Sequence, residues 1–333
     1  MIRFGVIGYG YWGPNIARNI RALESASLVA ICDRSPAALQ KAKQLYPEAR
    51  LTTTPEDILT APDIDAVAVI TPVSTHFELA KVALLNGKHV FVEKPFTATS
   101  AQAEELIDLA EMRNLRIMVD HTFLFTGSVR KIRQLMDDGT LGKLYYYDST
   151  RVNLGLFQHD VDVIWDLAPH DLSIVDYLIG KPAEAVVATG QAHVNGLNDV
   201  AYMTVYYPDK VIAHINVNWL SPVKVRLALI GGEKKMIVWN DLVGDEKIRV
   251  YDKGINTTLR EGVHDLLVGY RSGDMWAPRL ENIEALRAEL AYFVTCIEQN
   301  TVPFNDGLAG LRIVRMLEAA QDSIARKGEV VYA

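Results

Sequence analysis

Cysteine is nearly absent. The 333-residue chain has two, Cys32 and Cys296, which excludes a disulfide framework and a cysteine-based metal site and leaves both to be read as core thiols. An excess of positive charge is missing as well: Lys+Arg total 34 against Asp+Glu 41, a net charge of −7, so no basic face is offered to nucleic acid. No apolar run is long enough to cross a bilayer. The chain also enters a strand at once, without a basic segment, apolar core and cleavage site, so no membrane partner is expected and the expected location is the cytoplasm. Repeats, low-complexity runs and Pro/Gly/Ser linkers are lacking too. What remains is an ordinary globular composition, 49% hydrophobic and 23% charged, over a length suited to two closely docked domains.

The chain opens on a short apolar run (Phe4, Val6, Ile7) that breaks into Gly8-Tyr9-Gly10-Tyr11-Trp12-Gly13, and Ile16, Ala17 and Ile20 follow at helical spacing. In G-x-G-x-x-G after a strand, Gly8 permits the tight turn, Gly10 lets backbone approach a pyrophosphate and Gly13 lets the helix pack on the strand. The helix N-terminus then offers N–H groups and a positive dipole end to an anion. A second apolar strand ends in Asp33, twenty residues beyond Gly13, where a carboxylate would meet a ribose hydroxyl pair. The combined pattern predicts a dinucleotide; a tight turn without ligand is the bland alternative. Asp33 favours NAD over NADP, because it accepts from both ribose hydroxyls and repels a 2′-phosphate, whereas Arg34 could pair with that phosphate or lie over the adenine.

Helix and strand signals then alternate: Ser35-Pro36 opens a helix, Thr54-Pro55 caps another, and Ala66-Val67-Ala68-Val69-Ile70 reads as a strand buried on both faces, ending at Thr71-Pro72. A helix over 74–86 stops at Gly87, the strand 89–92 ends in Glu93-Lys94-Pro95, and a helix over 100–113 and a strand over 115–119 complete the series. This predicts an α/β fold whose N-terminal domain, residues 1–120, is a Rossmann doubly wound parallel sheet, with Gly8, Asp33, Thr71 and Lys94 at the carboxyl ends of its strands. Residues 121–333 read differently. After a helix over 128–137, extended runs at 144–153, 184–194, 200–207, 211–220, 223–230 and 235–239 are separated by turn signals, with 207–210 and Gly231-Gly232 as hairpin or bend connections. They predict an open, mainly antiparallel sheet in a second α/β domain that binds substrate. One face of that sheet needs cover, so a homodimer or homotetramer is expected. Amphipathic stretches at 282–299 and 310–327 read as packing helices.

Two constellations could carry chemistry. Lys94, at a strand's carboxyl end, would project into the crevice where a nicotinamide lies, and the oxidised ring's charge with partial burial would lower its pKa; a surface lysine beside a turn proline is the alternative. In Trp165-Asp166-Leu167-Ala168-Pro169-His170, Asp166 reads as an N-cap and Pro169 as a first-turn residue, which sets Asp166 and His170 four apart on one helix face. A carboxylate there fixes an imidazole's tautomer and suits it to take a hydroxyl proton as hydride leaves the adjoining carbon. A plain cap with a core histidine fits equally, and a metal is disfavoured because no further ligands lie nearby.

Together these parts resemble the Gfo/Idh/MocA family of nicotinamide-dependent oxidoreductases, across essentially the whole chain: Gly8 to Gly13 with Asp33, Thr71-Pro72 through His76, Glu93-Lys94-Pro95, and Asp166 with His170. The resemblance implies that Gly8, Gly10, Tyr11, Trp12, Gly13, Asp33, Arg34, Thr71, Pro72, His76, Glu93 and Lys94 hold the cofactor. It also implies that Lys94 hydrogen-bonds the reacting hydroxyl, and that His170 is the acid/base supported by Asp166. The stretch 151–158 is similar to members acting on nucleotide-linked sugars, with Arg151 and Asn153 as candidate substrate contacts beside Lys94, Asp166 and His170; Arg151 could equally pair with a strand neighbour. Many relatives carry an arginine soon after the strand near residue 120, where this chain has Thr122-Phe123-Leu124-Phe125. The expected activity is NAD-dependent oxidation of a secondary ring hydroxyl of a small-molecule sugar, a nucleotide-linked amino sugar or its uronate, or reduction of the matching ketosugar. Oxidation of a free cyclitol or monosaccharide, glycoside cleavage by transient oxidation, and a dinucleotide-binding sensor that does no chemistry are the rivals.

Overall fold

A computed structural model describes residues 1–155, 157–259 and 266–332. Two compact units emerge, Met1–Phe125 with Ile283–Glu318, and Thr126–Asn282 with Ala319–Ala333. They are not the contiguous halves 1–120 and 121–333, because a late stretch of chain packs with the first unit.

In the first unit, β1 (Ile2–Ile7), α1 (Gly13–Arg21), β2 (Ala26–Cys32), α2 (Pro36–Leu45), β3 (Arg50–Thr52), α3 (Glu56–Leu59), β4 (Ala66–Val69), α4 (His76–Leu85), β5 (His89–Glu93), α5 (Ser100–Met112) and β6 (Ile117–Asp120) alternate. All six strands pair in parallel, in the order β3-β2-β1-β4-β5-β6. Every residue of β4 is buried, as a strand covered on both faces requires. Ser35 caps α2 by accepting from Ala38 N, with Pro36 in the first turn. Thr54 does not cap α3 as expected: Pro55 takes the N-cap position without a side-chain bond, and the Thr54 carbonyl accepts from Asp57 N. The chain order reverses between β1 and β4, which opens a crevice at their carboxyl ends.

In the second unit come α6 (Gly127–Asp137), β7 (Leu144–Leu154), α7 (Val163–Ile179), β8 (Ala185–Gln191), β9 (Val200–Tyr207), β10 (Val211–Asn218), β11 (Leu220–Gly232), β12 (Met236–Asn240), β13 (Ile248–Leu259) and β14 (Leu266–Trp276). α8 (Ala285–Glu298) returns to the first unit, where the Phe293 ring packs 6.3 Å from Phe4 and 6.0 Å from Phe91; α9 (Gly307–Ala325) and β15 (Val331–Tyr332) end the chain. The nine-stranded sheet runs β14-β13-β12-β11-β7-β10-β9-β8-β15, antiparallel except where β7 meets β10. Residues 207–210 do form the β9–β10 hairpin connection. Gly231 and Gly232 are not a bend: they end β11, and the turn falls at 233–235. A Cβ on Gly231 would stand 2.0 Å from the Tyr146 ring, so the glycine is needed for a neighbouring side chain to cross the strand. α7 covers one face of the sheet against β7, β9 and β10. Along β9 and β10 burial alternates, and the other face presents Tyr202, Tyr206 and Ile212, with Leu229 of β11, to solvent. Among the described residues no helix is long and apolar enough to cross a membrane.

Candidate functional site

In the first unit the predicted residues gather at the carboxyl ends of the parallel strands. Gly8 follows β1 with φ +100°, and a Cβ there would lie 2.0 Å from the Ile70 carbonyl oxygen, so no other residue fits. A Cβ on Gly13 would meet the Gly8 carbonyl at 2.2 Å, which is the close helix–strand approach expected of it. Gly10 faces open space, with nothing within 4 Å of such an atom. No side chain caps α1, and Pro14 stands in its first turn. Asp33 reaches back to the turn: Oδ2 accepts from Tyr9 N at 2.6 Å and Oδ1 from Ser35 N at 2.7 Å, so two backbone donors fix its carboxylate. Arg34 and Tyr11 are exposed. An open, glycine-lined and uncapped helix start beside an oriented carboxylate fits a dinucleotide.

Thr71 and Pro72 follow β4, with Thr75 Oγ1 donating to Thr71 Oγ1 at 2.7 Å. His76 is turned into the protein. It is fully buried, with Nδ1 2.9 Å from the Pro95 carbonyl oxygen and Nε2 2.7 Å from that of Thr71. Burial holds its pKa below the ordinary histidine value. The imidazole therefore ties the end of β4 to the turn after β5 instead of lining the crevice. Glu93 and Lys94 are half-buried on that turn, and the Lys94-Pro95 bond is cis.

In the second unit, α7 begins one turn earlier than expected. Asp162, not Asp166, is the N-cap: its Oδ1 accepts from Ile164 N and Trp165 N, both at 3.1 Å, and Asn198 Nδ2 holds its other oxygen at 3.0 Å. Pro169 accordingly sits inside the helix and not in its first turn. Asp166 and His170 are half-buried one helical turn apart, and Asp166 Oδ2 accepts from Trp219 Nε1 at 3.1 Å. Asn153 is half-buried near the end of β7, and Leu156 in the same stretch lies outside the described residues.

Arg151 is not brought to this group as a free cation. It is buried on the α7 side of β7, its Nε 2.5 Å from Asp171 Oδ2 and Nη2 3.4 Å from Oδ1. The pairing partner is on the helix, not on a strand neighbour. Burial, with the charge of the same carboxylate, pushes the Tyr147 hydroxyl well above its usual value.

Sequence reading missed Asp162 and Trp219, and it missed Asp120 and Glu289. Trp12 Nε1 donates to Asp120 Oδ2 at 2.8 Å, and the fully buried Glu289 of α8 accepts from His121 N at 3.0 Å. Two Asp residues four apart at a helix start gave a signal for Asp162; nothing in local spacing links residues 12, 120 and 289.

Residues 2–121 match the model of an oxidoreductase family with an NAD-binding Rossmann fold, and residues 129–238 match the Gfo/Idh/MocA C-terminal domain. The chain is 28% identical over 322 residues to UDP-N-acetylglucosamine 3-dehydrogenase of Acidithiobacillus ferrooxidans, covering 94% of each. The solved structure of that enzyme superposes with a TM-score of 0.83 at 26% identity over 98% of both chains. An inositol 2-dehydrogenase of Rhizobium meliloti is 25% identical over 100% of this chain and 99% of its own. An oxidoreductase from Agrobacterium radiobacter, solved with NAD+, L-tartaric acid and magnesium, shares the fold, with a TM-score of 0.82 at 17% identity over 99% of this chain and 98% of that one.

Proposed function

The chain belongs to the Gfo/Idh/MocA family of NAD-binding oxidoreductases, and on that premise we propose that it oxidises a secondary ring hydroxyl of a nucleotide-linked sugar with NAD, or reduces the matching ketone. The observation that carries the substrate class is the match along 94% of both chains to a nucleotide-sugar 3-dehydrogenase.

Bound NAD would supply the hydride acceptor, nicotinamide C4. Lys94 donates a hydrogen bond to the reacting oxygen and draws charge away from it as the C–H bond weakens. His170 takes the hydroxyl proton, and in the reductive direction returns it. Asp166, one turn earlier on the same helix face, favours the imidazolium that forms. Its bond from Trp219 fixes the direction of that carboxylate. NAD is preferred over NADP because Asp33, fixed by Tyr9 N and Ser35 N, meets the ribose hydroxyls as an acceptor and repels a 2′-phosphate.

A free cyclitol or monosaccharide is the second reading, and one observation favours it. Arg151 spends its charge on Asp171 inside the unit, so it offers nothing to a pyrophosphate. Purified protein with NAD or NADP against nucleotide sugars, free sugars and cyclitols, followed by nicotinamide absorbance, separates the two; reverse assays with ketosugars cover the other direction. Lys94→Ala is expected to retain NAD binding and lose about 10²–10⁴-fold in turnover. Full turnover in that variant would rule the mechanism out, and silence of the wild type in both directions would favour a sensor.

The uncovered sheet face, with Tyr202, Tyr206, Ile212 and Leu229, supports a homodimer or homotetramer. Light scattering on the eluted protein should return two or four subunits, and Tyr206→Lys/Ile212→Lys should return fewer.

A further inference from the structure

Four separate stretches of the first unit converge behind the glycine turn. Glu289 on α8 is fully buried, and its Oε1 accepts from His121 N and from Asn305 Nδ2, each at 3.0 Å. Asn305 is itself tied to β6: its carbonyl accepts from Val119 N and its Nδ2 donates to the Val119 carbonyl, both at 2.9 Å. Asp120, only 3% exposed, ends β6; it accepts from the Thr122 hydroxyl on one oxygen and from Trp12 Nε1 at 2.8 Å on the other. Trp12 is the N-cap residue of α1 and the fifth residue of the turn.

We infer that Glu289 is a positioning residue for the dinucleotide-binding turn, acting through Asp120 and Trp12 without touching the ligand. The inference rests on reading that turn as the cofactor site. Removing Glu289 leaves His121 N and the Asn305 amide with a lost acceptor and Asp120 with a lost neighbour. The indole bond that holds the turn is the next link in the chain.

An acid is suited to this place because two carboxyl groups buried side by side cannot both be charged. Burial, the charge of Asp120 and hydrogen bonding to Asp120 hold Glu289 well above its ordinary value, and the Glu93 charge adds to this. The other titratable groups alongside are Lys94 and the His121 imidazole, which is pushed down to about 4 by burial and, more weakly, by Lys94, against the raising charge of Asp120, and so is neutral. Glu289 is then favoured in its neutral form, beside the Asp120 carboxyl group that accepts from the indole N–H. Ionising Glu289 sets two anions against each other and weakens the hold on Trp12.

The test is fluorescence titration of the full-length protein with NADH from about pH 6 to about pH 10, a range above the ordinary glutamate value. The wild type should bind progressively more weakly at the alkaline end. Glu289→Gln keeps one donor and one acceptor but cannot ionise; it should match the wild type where Glu289 is protonated and stay flat as the pH rises. Trp12→Phe should bind about tenfold more weakly at all pH values, the size of one lost bond to a charged group. Glu289→Ala should lose binding that Glu289→Gln restores. A Glu289→Gln profile that falls in parallel with the wild type, or Trp12→Phe binding as tightly as the wild type, overturns the inference while leaving the cofactor site intact. No NADH binding by the wild type at any pH overturns both.

Discussion

Asp171→Ala offers the sharpest check on the second unit. Asp171 and Arg151 have side chains 5% and 6% exposed, and they meet through two contacts. Arg226 pairs with Arg151 in register on β11, and its pKa is lowered by burial and by the Arg151 charge. Removing Asp171 therefore leaves two neighbouring guanidinium groups, with Asp241 paired to Arg226 at 3.6 Å. Breaking a buried pair from one side costs about 3–5 kcal/mol. Spread over a unit of about 170 residues, that is a fall in Tm of roughly 6–20 °C. Arg151→Met/Asp171→Leu, which removes both charges, should recover most of the loss, because an ion pair replaced by apolar groups of similar volume is close to neutral. Calorimetry on the two variants beside the wild type measures both quantities. A fall of under about 1 kcal/mol in Asp171→Ala would refute the structural reading, since that is the size of an exposed pair. A double variant as stable as wild type but with a raised KM would return Arg151 to the substrate.

Further predictions concern the first unit. Gly8→Ala forces a Cβ to 2.0 Å from the Ile70 carbonyl oxygen at φ +100°, so NADH binding should be abolished and stability should fall by at least about 1–3 kcal/mol, read by titration and urea unfolding. Glu289 has its folded pKa raised, so its contribution to stability is complete below the ordinary glutamate value and is lost as pH rises toward the folded value. Relative to Glu289→Gln, the wild type should therefore lose about 1.4 kcal/mol per pH unit across that window in urea unfolding without cofactor; a constant difference would show that the group is ionised in the folded protein.

The parallel sheet was legible because its strands are short apolar runs ended by turn residues, as in Ala66–Val69, and because Ser35-Pro36 has one sensible structural meaning. The start of α7 was misread for a physical reason. Proline was given its commonest helical place, the first turn, whereas Val163, Ile164 and Trp165 are buried residues of the helix and move its start back to Asp162. β13 and β14 were not anticipated, since Arg249, Asp252, Lys253 and Gly254, then Gly269, Arg271, Gly273 and Asp274, break any apolar alternation. Arg151 reads equally as a ligand contact or as the partner of a strand neighbour, because a lone arginine on a strand carries no mark of a helix partner twenty residues on. Glu289 was hidden by distance alone: a glutamate on an amphipathic helix reads as a solvent-facing residue until the fold turns it inward.

The return of α8 to the first unit has a consequence for synthesis. When residues 1–125 have left the ribosome, all six parallel strands exist, yet Phe293, which lies against Phe4 and Phe91, and Glu289, which accepts from His121 N, have not been made. A fragment cut after β6 therefore lacks part of the core of the nucleotide-binding unit. The apolar centre of the parallel sheet is thereby closed only by residues synthesised some 170 positions after its last strand.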